Sequence, residues 1–425
     1  MTRTFVTRAL LHPLILCLAL LCLVLAGCGS GSSDNGGRPG APQPPSSAPP
    51  AALNSGDVTP SAWRALPAAG AVPAETQAAR DRILGPGATD PSQVKVWWYG
   101  VSSFIASIGG HLVLFDAWEV VGLHKDYVPI GRDDLAALRP EAIFIGHGHF
   151  DHAADAGYIA GRTGAALVGG SNVCLMARQK AAKDGNGDRF PCLVLGNNGD
   201  LPAGHSEQVK FWRDLPEITI IKHIHSAADP MDLLQGGLPM LYVPELLTYL
   251  THLNTSPAEI AGFLTSLTDD GGVGEPTGGT WAYHFRIGDF SLLWHDSSGP
   301  IAGDDAEAVA VREAIAGLPG CVDVQLGAIV GFGMLTSGMR DVLAYVDSAR
   351  PQLFIPNHHD AWAPVIGGGA RAYESGWNSA LATLAHVPEQ DYLRDPDDYL
   401  KVRSFAVKDA RWRQPPAGSR CAATR

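Results

Sequence analysis

The segment His147-Gly148-His149-Phe150-Asp151-His152 is the feature that most constrains what this chain can fold into. It follows a short apolar run at residues 142–145 and precedes a stretch of small residues that begins at Ala153. This order predicts a buried strand, a turn and then a helix. Three imidazoles and one carboxylate within six residues are costly to bury in an ordinary core, whereas a divalent cation binds both ligand types. The sequence therefore predicts a metal site at the end of a strand.

The first 27 residues have the composition of an export signal rather than of a folded element. Two arginines precede an apolar run over residues 10–25. The tetrapeptide Leu25-Ala26-Gly27-Cys28 then resembles the bacterial lipobox, where the signal is cleaved before a cysteine that carries lipid. We therefore expect residues 1–27 to be a lipoprotein signal peptide, and the mature protein to be exported to the cell envelope and anchored to a membrane through Cys28. The alternatives are an uncleaved membrane anchor and an ordinary signal peptide cleaved nearby.

Residues 28–91 are predicted to be a disordered Pro/Gly/Ser-rich tether. Up to residue 56 this segment has almost no large apolar side chain, so it cannot bury enough surface to offset the entropy of ordering it. We expect it to continue with weak helical pieces to about Pro91 and to let the folded domain stand above a membrane. The following residues, 92–412, are numerous enough for a single large α/β domain, and residues 413–425 are predicted to form a tail.

The charge of the chain argues against nucleic acid as a partner. The formal net charge is −12, and loss of the signal would remove two arginines and no acid. An acidic surface repels phosphate backbones, so we expect neither DNA nor RNA to bind.

Four cysteines follow Cys28, and an exported compartment permits disulfides between them. Four cysteines allow three pairings. Cys174 with Cys192 would close a local loop, and Cys321 with Cys421 would then hold the tail. Free buried thiols are the alternative.

Apolar runs and turn residues predict an alternation of strands and helices, which is typical of a layered α/β fold. The strand–strand–strand opening turns at Gly109-Gly110 and ends in Phe115-Asp116. Strands are predicted at residues 94–99, 103–107, 111–116, 142–145, 166–168, 208–212, 218–225, 280–287, 290–295, 322–327 and 352–355, and helices near 132–138, 305–316 and 338–348.

Two later strand ends supply further ligand candidates. His223 and His225 are two residues apart and therefore on one face of a strand. His225 lies at the strand exit and is the preferred ligand, with His223 as the competing assignment. The next strand leads into His295-Asp296. Because a carboxylate can bridge two cations with its two oxygens, Asp296 is expected to be the ligand and His295 its neighbour.

The last candidate strand leads into Pro356-Asn357-His358-His359-Asp360. His358, at the end of this strand, is the candidate ligand. His359 and Asp360 are expected either to orient it or to contact the substrate.

The order of these motifs resembles that of the metallo-β-lactamase superfamily, from about residue 94 to residue 362. The resemblance implies a four-layer αββα metallo-β-lactamase sandwich, with Asp116 behind the metal site orienting a ligand imidazole. It also implies two divalent ions, zinc in the first instance, with manganese or iron as alternatives. One ion would be held by His147, His149 and His225, the other by Asp151, His152 and His358, with Asp296 between them.

The ligand types resemble the dinuclear hydrolase branch of that superfamily. His149 rather than glutamate disfavours the di-iron redox branch, and Asp296 rather than cysteine disfavours the best-known zinc β-lactamases. The Pro-x-His-x-Asp ending resembles lactonase-like and phospholipase-D-like members. The resemblance implies a hydrolase in which a metal-bridged hydroxide attacks an ester, lactone or phosphodiester and Asp151 takes the proton. The alternative is a non-catalytic metal- or ligand-binding lipoprotein on the same scaffold.

Residues 231–278 interrupt the alternation with a leucine-rich insertion between two candidate ligands. One interpretation is a lid or apolar wall, which would favour a small-molecule or lipid-like substrate. The other is a satellite core under a long insertion.

Overall fold

The computed structural model describes residues 56–119, 128–196, 201–226, 278–329, 339–360 and 369–413. Within them, two β-sheets pack face to face and helices cover the outer faces. The layered αββα sandwich predicted from the sequence is confirmed.

The bounds of the elements are as follows. The strands are β1 (Asp57–Val58), β2 (Gln93–Trp98), β3 (Phe104–Ile108), β4 (His111–Phe115), β5 (Ala142–Phe144), β6 (Ala166–Gly169), β7 (Cys192–Val194), β8 (Ser206–Val209), β9 (Ile218–His223), β10 (Thr280–Ile287), β11 (Phe290–His295), β12 (Val324–Ala328), β13 (Leu353–Asn357), β14 (Glu389–Gln390) and β15 (Val402–Ala406). The α-helices are α1 (Ala74–Leu84), α2 (Arg132–Ala137), α3 (Phe150–Ala153), α4 (Ala156–Thr163), α5 (Ser171–Lys183), α6 (Ala306–Ala316), α7 (Arg340–Ala349), α8 (Ala370–Leu381) and α9 (Ala410–Arg413).

Each of the two sheets has a parallel half and an antiparallel half. The first has the order β1-β7-β6-β5-β4-β3-β2-β15 and the second β14-β13-β12-β11-β10-β9-β8. In the first sheet, pairs from β1 to β4 are parallel and pairs from β4 to β15 are antiparallel. In the second, pairs from β14 to β11 are parallel and those from β11 to β8 antiparallel. The strands β9, β11 and β13 consequently run in one direction and end at the same edge.

Local sequence explains the start of the first sheet. The predicted Gly109-Gly110 turn joins β3 and β4, and both glycines have positive φ, +59° and +94°. A two-residue hairpin turn of this kind needs left-handed backbone, which glycine adopts without a Cβ penalty. The hairpin aligns Phe104 with Phe115, so the loop before β3 lies at the same end as the exit of β4.

Aromatic side chains fill the space between the sheets. Phe115 of the first sheet stacks on Trp294 of the second, with ring centroids 4.8 Å apart. Hydrogen bonds also cross between the sheets near the exits of β4 and β5. For example, Tyr283 Oη donates to the Ile145 carbonyl (2.7 Å) and Trp294 Nε1 donates to the Ser102 carbonyl (3.2 Å). Both polar atoms are thereby satisfied although their rings are buried. This end of the sandwich is therefore fixed across both sheets.

Helices α6, α7 and α8 bury the outer face of the second sheet. One apolar cluster joins Ile221 and Leu293 to Val311 and Tyr345. Next to it, Phe354 packs with Val342 and Trp377 in a separate cluster. These residues alternate along the strands with those that face the inter-sheet core, as expected for a sheet buried on both faces.

The ordered domain begins earlier than residue 92, where the sequence placed it. Strand β1 pairs with β7, Trp63 stacks on Phe211 at 5.0 Å between centroids, and Arg80 donates to the Leu138 carbonyl. The tether predicted for residues 28–91 thus extends no further than residue 55. A few large side chains that dock individually on a finished core are enough to order a segment whose average composition resembles coil.

The stretch at residues 369–413, beyond the part of the sequence that carries the family resemblance, also belongs to the domain. It forms α8, β14 and β15, and β15 completes the edge of the first sheet beside β2. Trp412 is buried, whereas the predicted tail from residue 414 onward lies outside the described residues. Two predicted strands end differently: β8 covers Ser206–Val209 rather than 208–212, and β9 stops at His223 rather than 225.

Several predictions concern parts of the chain that the structure does not describe. The signal peptide, Cys28 and residues 231–277 of the insertion lie outside the described residues. In the part of the chain that the structure describes, no helix is both long and apolar enough to span a bilayer.

The predicted disulfide between Cys174 and Cys192 is present, with a Cα–Cα distance of 6.2 Å, and it joins α5 to β7. Cys321 is also disulfide-bonded. Its predicted partner, Cys421, lies outside the described residues.

Candidate metal centre

Four strand exits deliver the candidate ligands to one edge of the sandwich. The turn after β5 carries His147 and His149, and α3 begins at once with Phe150, Asp151 and His152. The exits of β9, β11 and β13 carry His225, Asp296 and His358. The sheet order thus explains how residues more than 200 positions apart meet.

All seven predicted ligands lie in one cluster, in which six are buried and His225 is half-buried. Their ligand atoms form three groups within which every atom lies within 4.8 Å of the others. The first group is His147 with His149 and His225, and the second is Asp151 with His152 and His358. A third set, His147 with His152 and Asp296, overlaps both.

The first group consists of imidazoles only. His147 Nε2 lies 2.9 Å from His149 Nδ1. The His225 ring lies 4.5 Å from that of His147 and 4.7 Å from that of His149, centroid to centroid. Three converging ring nitrogens are a ligand set that a divalent transition-metal ion can bind.

The structure brings His225 to the cluster and leaves the competing His223 outside it. Because β9 ends at His223, His225 lies beyond the strand, and the two side chains do not share a strand face. The His223 ring lies instead under α7, with Nδ1 2.8 Å from Tyr345 Oη and Nε2 buried without a hydrogen-bond partner.

The second group mixes imidazole and carboxylate. His152 Nε2 and His358 Nε2 are 3.2 Å apart. Each lies 3.6 Å from Asp151 Oδ2. The three atoms define a second position for a cation beside the first.

Asp296 lies between the two groups. Its Oδ2 is 2.6 Å from His147 Nδ1 and 3.3 Å from His152 Nδ1. Its Oδ1 is buried and has no hydrogen-bond partner. One carboxylate oxygen beside two imidazoles and the other buried without a partner is an arrangement that a metal ion would complete.

Asp116 holds the second group from behind, as the sequence resemblance implied. Its Oδ2 lies 2.7 Å from His152 Nδ1, and its Oδ1 accepts the Gly146 N–H at 3.0 Å. Ser102 Oγ adds a donor to Oδ2 at 2.6 Å. Sequence reasoning missed Ser102, because a single serine in a turn carries no signal of its own.

The sequence and the fold are similar to those of known proteins. Residues 96–284 match the family model described as the metallo-beta-lactamase superfamily. That span carries five of the seven cluster residues, and the sheets have the predicted layered arrangement. The fold is that of the metallo-β-lactamase superfamily.

Relatives of this metallo-β-lactamase-fold chain include two proteins named UPF0173 metal-dependent hydrolase. The one from Pyrobaculum islandicum is 32% identical over 122 residues, 29% of this chain and 50% of the relative. The one from Myxococcus xanthus is 31% identical over 168 residues, 38% of this chain and 51% of the relative. The chain thus spans about half the length of these curated relatives. Among solved structures, Igni18, a metallo hydrolase from Ignicoccus hospitalis, aligns with 74% of this chain and 98% of its own at 18% identity, with a TM-score of 0.44.

Burial determines the electrostatics of the seven-residue cluster. It raises the pKa of Asp151 to about 7 and that of Asp296 well above its usual range. Burial, with the neighbouring imidazoles, lowers the pKa of His147 and His152 far below the usual value. Neutral imidazoles are the ligand-competent form. A divalent cation would stabilise the ionised carboxylates without competing protons, so the donor set fits such an ion.

The three neighbours predicted beside the ligands all bond to protein groups. His295 lies on the face of β11 opposite to Trp294. Its Nδ1 donates to the Ser297 carbonyl and its Nε2 accepts from Gln325 Nε2. His359 Nε2 donates to the Leu393 carbonyl at 2.7 Å. Asp360 accepts the Val101 N–H at 3.0 Å and the Tyr399 hydroxyl at 2.6 Å.

Proposed function

We propose that this chain is a metal-dependent hydrolase whose active site is the seven-residue cluster. The observation that carries the proposal is that the set containing Asp296 shares His147 with the first group and His152 with the second, while Asp296 Oδ1 is buried and unpartnered. The names of the Pyrobaculum and Myxococcus relatives support it.

Two divalent ions, zinc in the first instance, are proposed as cofactors. His147, His149 and His225 would hold one; Asp151, His152 and His358 would hold the other; and Asp296 would contact both. Ions held there would supply Lewis acidity and would acidify water. Zinc suits this mixture of imidazole nitrogen and carboxylate oxygen.

Residues of this chain would orient the metal-binding imidazoles and accept a proton. Asp116 Oδ2 holds His152 Nδ1, which leaves Nε2 directed at Asp151 and His358. Such carboxylate–histidine pairs fix the tautomer and ring orientation of a ligand imidazole. Asp151 is also proposed to take a proton during the reaction, since its carboxylate lies beside the imidazoles of His152 and His358.

Esters, lactones and phosphodiesters are the proposed substrate classes. Each offers an electrophilic centre bearing an oxygen that a cation can polarise. A small-molecule or lipid-like substrate is the narrower proposal, and it rests on the leucine-rich residues 231–278. Nucleic acid is not proposed, because the chain is acidic.

We also propose that the protein is exported and held at a membrane by lipid on Cys28. The support is the sequence Leu25-Ala26-Gly27-Cys28 behind an apolar run. The domain begins by Gly56, so fewer than 30 residues would separate it from the lipid. A coil of that length has a root-mean-square span of roughly 30 Å.

Hydrolysis assays with the purified protein test the function. The substrates would be a chromogenic ester, an acyl lactone and a bis-aryl phosphodiester, each assayed before chelation, after chelation and after zinc is returned. We expect turnover of at least one class, lost with chelator and restored by metal, in wild type and in the off-cluster variant His223→Ala. Metal binding without turnover of any class would favour the non-catalytic metal-binding lipoprotein instead.

A further inference from the structure

The loop between β2 and β3 has a strained backbone beside the metal cluster. Val101 has φ of +50°, a conformation that a β-branched residue adopts at a cost of order 1–3 kcal/mol. Val101 is fully buried, and its carbonyl accepts the Trp98 Nε1–H at 2.9 Å. Such a conformation persists only where the surroundings enforce it.

This loop contacts two of the three ligands in the second group. The His358 N–H donates to the Val101 carbonyl at 2.8 Å, and His358 itself has φ of +62°. The next residue, Ser102, places its Oγ 2.9 Å from His152 Nδ1. The positions of His152 and His358 therefore both depend on where the loop lies.

Asp360 is the group that holds the loop. It is fully buried, and its Oδ1 accepts the Val101 N–H at 3.0 Å. Its Oδ2 accepts the Tyr399 hydroxyl at 2.6 Å, and Tyr399 stacks on Trp98 at 4.6 Å between centroids. Residues 98–102 thus contact Asp360 at the exit of β13 on one side and Tyr399 of the C-terminal segment on the other.

The first ligand group has separate support. The Ser226 N–H donates to Ser297 Oγ at 2.8 Å, and the Ser298 N–H donates to Ser226 Oγ at 2.8 Å. These bonds tie the turn after His225 to the turn after Asp296. A Cβ on Gly299 would overlap the carbonyl oxygens of Ile224 and His225, so the two turns are in close contact.

We propose that Asp360 is a positioning residue for one of the two metal positions, the one formed by Asp151, His152 and His358. It acts through the Val101 peptide, which it fixes in the left-handed conformation that His358 and Ser102 require. This inference rests on the proposed two-ion function and assigns Asp360 a task within it. It acts through backbone hydrogen bonds rather than by contact with substrate.

Metal titration of the apo-protein tests the inference independently of activity. Zinc would be titrated in competition with a chromophoric chelator, giving two dissociation constants for wild type. Asp360→Ala removes the acceptor for Val101, and we expect one Kd to rise about 10- to 100-fold, the range for lost support of a metal ligand, while the other is unchanged.

Ligand variants identify which ion is affected. His358→Ala defines loss of the second position and His149→Ala loss of the first. Adding Asp360→Ala to His358→Ala should change the remaining Kd less than threefold. Adding it to His149→Ala should weaken the remaining ion by the same factor as in wild type, since non-additivity reports a shared site.

Two conservative variants complete the design. Asp360→Asn keeps an oxygen that accepts from Val101, and Tyr399→Phe leaves the Val101 contact intact; both should bind two ions within threefold of wild type. Should Asp360→Ala not fold, Asp360→Ser replaces it, because a serine hydroxyl is too short to span both partners.

Three results would overturn the inference: unchanged Kd values in the folded Asp360→Ala or Asp360→Ser variant, equal weakening of both ions, or loss of an ion in Asp360→Asn. A wild-type protein that binds no zinc would instead overturn the proposed function.

Discussion

Gly146 sets how closely the Asp296 carboxylate can approach the turn that carries the first histidines. A Cβ at this position would overlap the carboxyl group of Asp296. Its N–H donates to Asp116 and its carbonyl accepts the Trp281 N–H at 2.8 Å. A single missing methyl group thus allows the two sheets to place their ligands in contact.

Gly146→Ala should therefore weaken metal binding and destabilise the fold by roughly 1–3 kcal/mol, the usual cost of overpacking a core. The control is Gly376→Ala within α8, where a Cβ meets nothing within 4 Å and helix propensity favours alanine by about 0.5–1 kcal/mol. Urea unfolding and zinc titration measure both effects. A Gly146→Ala variant as stable and as tightly metal-bound as the control would refute the close approach.

The two histidines at the exit of β9 give a second residue-scale prediction. His225→Ala should lose one zinc ion, because its ring lies against His147 and His149. His223→Ala should retain both ions and lose only a hydrogen bond to Tyr345, at a cost of about 1 kcal/mol. The zinc content of the two purified variants measures this difference. Loss of zinc in His223→Ala but not in His225→Ala would make His223 the ligand instead.

At the scale of elements, one buried histidine links several segments at the end of the sandwich opposite the metal cluster. His111, at the start of β4, has Nδ1 2.6 Å from Glu141 Oε2 and Nε2 3.0 Å from Asp214 Oδ1. Asp214 also accepts the Ala69 N–H at 3.3 Å. The imidazole joins the first sheet to the β8–β9 connection and, through Asp214, to the N-terminal segment.

This arrangement predicts a pH dependence of stability. Burial disfavours the charged form of His111, but hydrogen bonds and charge from Glu141 and then Asp214 outweigh it and raise the pKa. A pKa raised in the folded state gives stability that is fully present below the unfolded value of about 6.5 and is lost as pH rises through the folded pKa. The free energy of unfolding of the apo-protein should fall over that window.

Glu141→Gln should make this fall smaller, because it removes the carboxylate that lies closer to the imidazolium. Urea unfolding at a series of pH values, with the His111 ring resonance followed by NMR, measures both the slope and the pKa. An unchanged slope in Glu141→Gln, or a wild-type pKa at or below 6.5, would contradict this assignment.

Elements differ in how far the sequence determines them. The HGHFDH turn and the strands that end in Asp296 and His358 could be predicted, because ligand residues after an apolar run leave few alternatives. The choice of His225 over His223 needed the point where β9 stops, which pairing with β10 sets rather than local sequence. The sequence does not predict β1, β7, β14 or β15, since short strands at or next to the edge of a sheet are ordered by tertiary contacts. Ser102 and Asp360 act through three-dimensional neighbours that sequence spacing cannot show.

For the whole molecule, the chain enters the domain far from the cluster. The Gly56 carbonyl accepts the Cys192 N–H at the start of β7, and β7 runs parallel to β6 and β5, whose exits face the metal end. The point of entry is therefore at the opposite end of the first sheet from His147. A tether leaving from there would allow the cluster to face away from the membrane surface.

Cys28→Ser tests the proposed location. We expect this variant to stop incorporating labelled fatty acid and to leave the membrane fraction, because the lipid supplies buried methylenes at about 0.8 kcal/mol each. The folded domain should be unaffected, as judged by its zinc content. A variant that still fractionates with membranes would show that residues 10–25 remain as an anchor.

Metal content is the most direct test of the central claim, that seven side chains from four strand exits form a two-ion centre. The measurement is elemental analysis of the purified full-length protein after zinc reconstitution and removal of loosely bound ions. We expect close to two zinc ions per chain, and about one in His225→Ala. Protein that is folded by circular dichroism yet retains no ion would contradict the claim.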